Sequence, residues 1–412
     1  MDLIIGAGVS GIAYANYTNH PCEIIEKESE IGGYCRTIKR NGFVWDYSGH
    51  FFHFRHPEIK KLVSKNIEQS TLSTVQKKTS ILYNGQYIDF PFQKNIHQLP
   101  KDEFIDCLYD LFAATPIEGE YSFKEMVYSH YGKSIAEKFL IPYNEKLYAC
   151  DLNTLDQEAM GRFFPKAGKE EIVLNFKNEE NDSYNQIFVY PKGGAIEYIH
   201  SLAKNIKETP ISLKEELISI DTNKKIAQTN RRTLKFDNLI STMPFPKLLD
   251  KCGIQYDKGL FTCNKVLVLN IGFDRKGKDT KSSWIYIPDK DVIFYRVGYY
   301  DNIMQSDRMS VYVEIGFPEN AQLKTTNYYI DKVIADMIKC GLITDQKVVD
   351  YEAIIMDPAY VHINKKSVGA VKHFKALLEK KKIYSIGRYG SWTYCSIEDN
   401  IVEARDLALK IK

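Results

Sequence analysis

The chain has 412 residues, 44% of them hydrophobic and 26% charged, which is enough for two or three domains with sizeable cores. Its net charge of +2 is too near neutral for a nucleic-acid or membrane-surface footprint, and no apolar run is long enough to span a bilayer. The eight cysteines are scattered without a C-x-x-C pair, which argues against a zinc site or redox dithiol and suits reduced thiols in a cytoplasmic protein; a strand starting at Met1 or Asp2 leaves no room for a signal peptide.

The chain opens with "DLIIGAGVSGIAYANY", which predicts a strand, a tight turn and a helix. Gly6, Gly8 and Gly11 form G-x-G-x-x-G, with Ser10 inside it. Such glycines let the backbone approach a pyrophosphate seated on the helix N-terminus. A second strand, "CEIIEK", ends in Glu26, about where an acid binds an adenosine ribose. "ESEIGGYCRT" then brings Gly32, Gly33 and Arg36. This resembles the second glycine motif of the glutathione-reductase-like FAD superfamily, with Arg36 free to pair with phosphate or with a surface acid.

"DYSGHFFHF" places Gly49 and three-spaced histidines at 50 and 53, with His56 beyond. A metal site is not expected: a strand would put His50 and His53 on opposite faces, and no cysteine or acid completes a tetrahedral set. Residues 92–180 read mostly as helix, with Ser122 and Glu125 as a capping box. Residues 251–375 alternate β-rich runs ("KVLVLNIGF", "DVIFYRVGYY", "MSVYVEIGF") with turns, as an antiparallel sheet does, interrupted by a helix that ends at Gly341. "IYSIGRYGSWTY" predicts a last strand, Ile383 to Ile386, then Gly387 and Arg388 and a final helix.

In the FAD superfamily such a late strand returns to the first sheet and the last helix points its positive end at the flavin. The expected fold is therefore α/β: an FAD-binding Rossmann domain built from residues 1–80, 185–250 and 376–412, a helical insertion (92–180), and an antiparallel sheet domain (81–91 and 251–375).

A narrower resemblance joins these parts. "FLIPYNEKLYA" and "MGRFFP", "NQIFVYPKGG", "WIYIPDKDVIFYR", "DPAY" and "GRYGSWTY" are similar, in order, to segments of the UDP-galactopyranose mutases, the eukaryotic-type branch in particular. The chain departs from that branch in being shorter, in reading Ser48-Gly49-His50 where Gly-Gly-His is usual, and in carrying Tyr148 at a tryptophan position. The resemblance implies an isomerase that interconverts pyranose and furanose forms of a nucleotide sugar through a reduced-flavin N5–C1 adduct, for surface polysaccharide. It implies FAD, active when reduced, with NAD(P)H as reductant and a UDP-linked sugar as substrate.

By the same resemblance Arg162 and Arg296 clamp the diphosphate, and Tyr286, Tyr360 and Tyr394 donate hydroxyls to it. Tyr148 and Asn185 contact substrate, and the Gly49–His50 loop lies beside flavin N5, with Gly49 permitting a peptide flip. Gly6, Gly8, Ser10, Gly11, Glu26, Gly33, Arg36, Gly387 and Arg388 hold the cofactor. The alternative reading is an FAD-dependent amine oxidase, desaturase or protoporphyrinogen-oxidase-like enzyme, which shares the flavin motifs. The sugar and the oligomeric state stay open.

Overall fold

A computed structural model describes residues 1–178 and 187–411. A five-stranded parallel sheet organises one end. Asp2–Ile5 lies at its centre, between Cys22–Ile25 and Asn238–Ser241, with Ile211–Ser212 and Ile383–Ser385 at the edges. The last strand thus returns to the first sheet across nearly the whole chain. Alternation along the strands divides two cores. Ile4, Ile24 and Ile240 pack under the helices Val9–Tyr17 and Ile397–Lys410, while Leu3, Ile5, Ile25, Leu239 and Ile383 fill the opposite face.

The second sheet has seven strands, in the order Val348–Met356, Asn264–Phe273, Ser310–Pro318, Arg296–Tyr299, Trp284–Tyr286, Thr79–Tyr83 and Gln86–Asp89. It is antiparallel except where Trp284–Tyr286 runs parallel to Thr79–Tyr83, so the early hairpin joins a later sheet with one reversed pairing. The strand expected over "DVIFYRVGYY" begins only at Arg296. The preceding loop has another hydrogen-bond partner: Lys146 Nζ donates to the carbonyls of Ile287, Asp289 and Phe294 at 3.0, 2.8 and 2.6 Å.

The helical segment packs on the second sheet, where Phe123, Val127, Phe139 and Leu147 share a core with Ile81 and Ile88. Its helix Phe123–Ile135 starts at the Ser122 capping box, where Ser122 and Glu125 exchange side-chain and backbone hydrogen bonds. A π-helical turn, Ala136–Leu140, leads into Ile141–Tyr148, and such turns recur at functional sites. The helix Thr326–Lys339 ends as its sequence suggests, with Gly341 at φ +68°.

Candidate functional site

Open α/β sheets bind ligands at the carboxyl ends of their strands. Gly6 (φ +103°) turns the chain, and Gly8 starts the helix with no side-chain cap, leaving its first N–H groups for an anion. Gly8 pairs with Gly32, and Gly32 N–H donates to the Ala7 carbonyl at 2.9 Å, so the two glycine motifs touch. A Cβ on Gly33 would reach within 3.4 Å of Gly8 Cα, and one on Gly11 would strike the Gly6 carbonyl. Glu26, 6% exposed, accepts from Ala7 N–H at 2.8 Å and Glu28 N–H at 2.9 Å. This backbone-lined, glycine-walled cradle with an acid at its rim suits a dinucleotide such as FAD.

Arg36 borders the cradle. Its Nε donates to the Gly33 carbonyl (3.0 Å), its guanidinium covers the Tyr47 ring and Glu28 lies 3.5 Å away, so it is tied to the loop and to surface acids. Ser10 Oγ donates to Asn400 Oδ1 (3.2 Å), and the same oxygen accepts from Arg388 N–H (2.7 Å). Gly387, at φ +87°, lies so close to Ser10 that a Cβ would collide with its hydroxyl. The first and last helices are therefore locked at the cradle.

Beyond it lies a chain of aromatic rings and guanidinium groups. Tyr360 and Tyr394 stack at 5.8 Å, Tyr148 meets Tyr360 edge-on at 5.8 Å, and Phe163 meets Tyr394 at 4.8 Å. The Arg388 guanidinium covers both Tyr394 (4.6 Å) and Tyr360 (5.2 Å). Tyr286 packs on Phe90 and Tyr143, and stands directly across the strand pair from Arg296. Tyr148, 1% exposed, has a hydroxyl without a hydrogen-bond partner, and burial raises its pKa well above that of a free phenol.

The two expected clamp arginines each face a carboxylate. Arg296 donates Nε to Glu314 Oε2 (2.6 Å) and Nη2 to Glu314 Oε1 (2.7 Å). Arg162 donates Nη2 to Asp399 Oδ2 (2.5 Å) and Ser396 Oγ (3.3 Å) at the start of the last helix. Arg162 covers Phe163, which packs on Tyr394 and so on Tyr360, while Arg296 stands across the strand pair from Tyr286.

The Gly49–His50 loop lies against the second sheet, beside Tyr312 and Glu314. The left-handed residue is Ser48, at φ +75°, and not Gly49. At Gly49 there is also no room for a side chain, because a Cβ there would run into the Tyr312 hydroxyl and the Phe51 ring. His50 Nδ1 is buried without a partner, and burial, with the nearby Arg388 charge adding, pushes its pKa down to about 4. His53 is likewise pushed to about 4 by burial, and His56 sits on the surface beside Glu58. Among the described residues no group of three or more His, Cys, Asp or Glu is gathered as a metal site.

Sequence reasoning missed three contributors. Glu314 sits in an apolar run, "VYVEIGF", where an acid needs a partner, and that mismatch was the available signal. Asp46, fully buried, anchors the loop: it accepts from Thr37 Oγ1, Tyr190 Oη and Ala195 N–H, yet burial still pushes its pKa up to about 6. Asn144, 2% exposed, leaves its Oδ1 unpartnered. Asn185 lies outside the described residues.

Among known proteins, the family model for flavin containing amine oxidoreductases matches residues 10–316. Protoporphyrinogen oxidase 2 of Arabidopsis thaliana is 21% identical over 291 residues, covering 58% of this chain and 56% of that protein. Protoporphyrinogen oxidase 1 of the same plant is 25% identical over 173 residues, 38% of this chain and 32% of that protein. The chain thus spans about half, or a third, of the curated relatives it matches. A crystal structure of reduced UDP-galactopyranose mutase superposes with a TM-score of 0.90 over 99% of this chain and 92% of that one, at 23% identity, a likeness of fold. No helix among the described residues is long and apolar enough to cross a membrane. With the family match running from Ser10 in the first glycine motif to the strand that carries Glu314, the chain belongs to the flavin containing amine oxidoreductase family.

Proposed function

We propose that the chain is a flavin-dependent isomerase that interconverts the pyranose and furanose forms of a UDP-linked sugar. The observation that supports this reading is the cluster in which the Arg388 guanidinium covers the stacked Tyr360 and Tyr394, with Tyr148 edge-on to Tyr360 and Arg388 tied to the cofactor cradle through Asn400.

Gly6, Gly8, Ser10, Gly11, Glu26, Gly33, Arg36, Gly387 and Arg388 would hold FAD. Bound in its reduced form, the flavin supplies a nucleophilic N5 toward the sugar's C1. The chain's own residues bind and orient the rest. Glu314 takes two of the five N–H donors of Arg296, which leaves others to meet a diphosphate. Arg162 would share its donors between Asp399 and the second phosphate. A unit charge pair at ~4 Å is worth about 4 kcal/mol at an effective dielectric of 20, and the leaving diphosphate gains charge as the C1–O bond breaks. The stacked tyrosines exclude water, and their hydroxyls offer neutral donors to the same oxygens. Neutral His50 keeps an acceptor nitrogen in the cleft without adding charge.

The protoporphyrinogen oxidases among the relatives favour a second reading, an FAD oxidase. One experiment separates the two. Dithionite-reduced protein is incubated without oxygen or electron acceptor with UDP-galactose, UDP-arabinopyranose and UDP-N-acetylgalactosamine, and furanose products are followed by NMR. Conversion supports the isomerase. Substrate-dependent peroxide in air, with no isomerised sugar, supports the oxidase. Arg162→Ala and Arg296→Ala should each lower conversion by about 10² to 10³ with FAD retained, and near-normal conversion in both defeats the clamp.

A further inference from the structure

One buried carboxylate, Glu314, holds both the 48–50 loop and the strand arginine Arg296. Ser48 Oγ donates to Glu314 Oε1, and the same oxygen accepts Arg296 Nη2 at 2.7 Å while Oε2 accepts Nε at 2.6 Å. Glu314 is 1% exposed and faces Arg296 in register across the strand pair. Ser48 adopts φ +75°, a left-handed backbone that a Cβ-bearing residue avoids unless its side chain is anchored. Its carbonyl is held as well, accepting from His50 N–H at 2.9 Å and Tyr300 Oη at 3.3 Å. A second link runs through Tyr312, whose ring lies 5.9 Å from the Arg296 guanidinium and whose hydroxyl fills the space that a Gly49 side chain would need.

We propose that Ser48 and Glu314 form a tether that positions Arg296, so that diphosphate engagement by Arg296 and the shape of the 48–50 loop beside the flavin are coupled. That Arg296 meets a diphosphate and that the loop lies beside the flavin rest on the nucleotide-sugar reading above. The physical reason is that Oε1 serves two donors at once. When Arg296 turns toward a phosphate, the carboxylate re-centres on Ser48; when Ser48 leaves, the carboxylate belongs wholly to Arg296 and draws it away from the phosphate. Coupling of this kind is reciprocal. Ser48 and Glu314 are positioning residues, and the tether fixes where the guanidinium points and how the loop presents His50.

The test uses FAD-loaded wild type, Ser48→Gly, Ser48→Ala and Glu314→Gln. Each is equilibrated with a reference redox dye at fixed potential, with and without saturating UDP, and the ratio of reduced to oxidised flavin is read. UDP affinity is read by flavin fluorescence. In wild type, UDP changes the ratio by about fivefold; Ser48→Gly abolishes most of that change and weakens UDP by about threefold or more, with FAD stoichiometry kept. Ser48→Gly relieves the left-handed strain, so it folds even where Ser48→Ala or Glu314→Gln does not.

An unchanged UDP effect and affinity in Ser48→Gly overturns the tether, as does UDP binding to wild type with no change in the flavin ratio. If wild type binds no UDP, the nucleotide-sugar reading fails separately. The tether is then judged on the ligand-free ratio: a difference between wild type and Ser48→Gly sustains it, and equal ratios overturn it.

Discussion

Arg162 and Asp399, 237 residues apart in the chain, are joined by a 2.5 Å contact between Nη2 and Oδ2. The contact ties the helical insertion to the first turn of the last helix, where Asp399 also closes the capping box with Ser396. Asp399 Oδ1 accepts from Arg55 Nη2 at 2.8 Å, so one carboxylate organises two arginines and a helix end. The acid lies at the positive end of the helix dipole, which favours it further.

Asp399→Asn should therefore lower stability at neutral pH by about 1–2 kcal/mol, the sum of a cap and a half-exposed ion pair. Burial alone would raise the Asp399 pKa, but the Ser396 amide and hydroxyl and the Arg162 guanidinium outweigh it and pull the pKa below the usual aspartate value. A depressed carboxylate stabilises above its unfolded pKa of about 4 and loses that contribution as pH falls through the folded value. Melting curves of wild type and Asp399→Asn should thus differ at pH 6 and converge as the pH falls through the depressed folded value; a gap that does not narrow in acid would count against the ionic account.

Gly49→Ala tests whether the loop glycine serves space. Overpacking against Tyr312 and Phe51 should cost about 1–3 kcal/mol. In a double-mutant cycle, Tyr312→Phe removes the hydroxyl nearest the new methyl and should return part of that loss. Strict additivity of the two changes in urea unfolding would show that the glycine is needed for some other reason.

What the sequence made legible follows how local each signal is. Gly6, Gly8, Gly11 and Glu26 fall within one strand–turn–helix–strand unit, and the structure folds that unit with the two glycine motifs in contact. The Ser122–Glu125 box and the Gly341 terminus depend only on neighbours in the chain, and both appear as read. The return of Ile383–Ser385 to the first sheet came through family resemblance, since no local pattern specifies a partner so distant. The missed pieces are long-range polar pairings. Glu314 looks like an interruption of a strand until Arg296 and Ser48 are placed around it, and the loop before Arg296 is held at its carbonyls by a lysine about 150 residues earlier. At Gly49 the sequence offered only conformational freedom; the positive φ falls on its neighbour Ser48, and the lack of room for a Cβ at Gly49 depends on Tyr312, a residue far along the chain.

His50 should stay neutral through the physiological range. Its pKa of about 4 lies below the free imidazole value, so between about pH 4 and 6.5 the unfolded chain binds the proton and the folded chain does not. Stability tied to this ring therefore falls as pH drops through that window. His53 shares the same direction, so His50→Gln should remove part of the acid sensitivity and His50→Gln with His53→Gln more of it. Imidazole NMR shifts of His50 should be flat from pH 5.5 to 9 at this pKa; a titration near 6.5 would mean that the ring is solvated.

Lys146 braces the loop between Tyr286 and Arg296 by donating to three carbonyls, those of Ile287, Asp289 and Phe294. Lys146→Met keeps the apolar stem and deletes all three donors. Buried acceptors without partners cost about 1–3 kcal/mol each, but a loop can turn some of them toward water, so the net loss should be at least about 2 kcal/mol. The damage should be local as well as global, because Tyr286 and Arg296 are the ends of the braced segment. Amide exchange at 287–295 should therefore accelerate more than in the parallel sheet, and UDP affinity should fall along with it. Uniform acceleration across both sheets, with UDP affinity unchanged, would reduce Lys146 to a general stabiliser with no part in aiming Arg296.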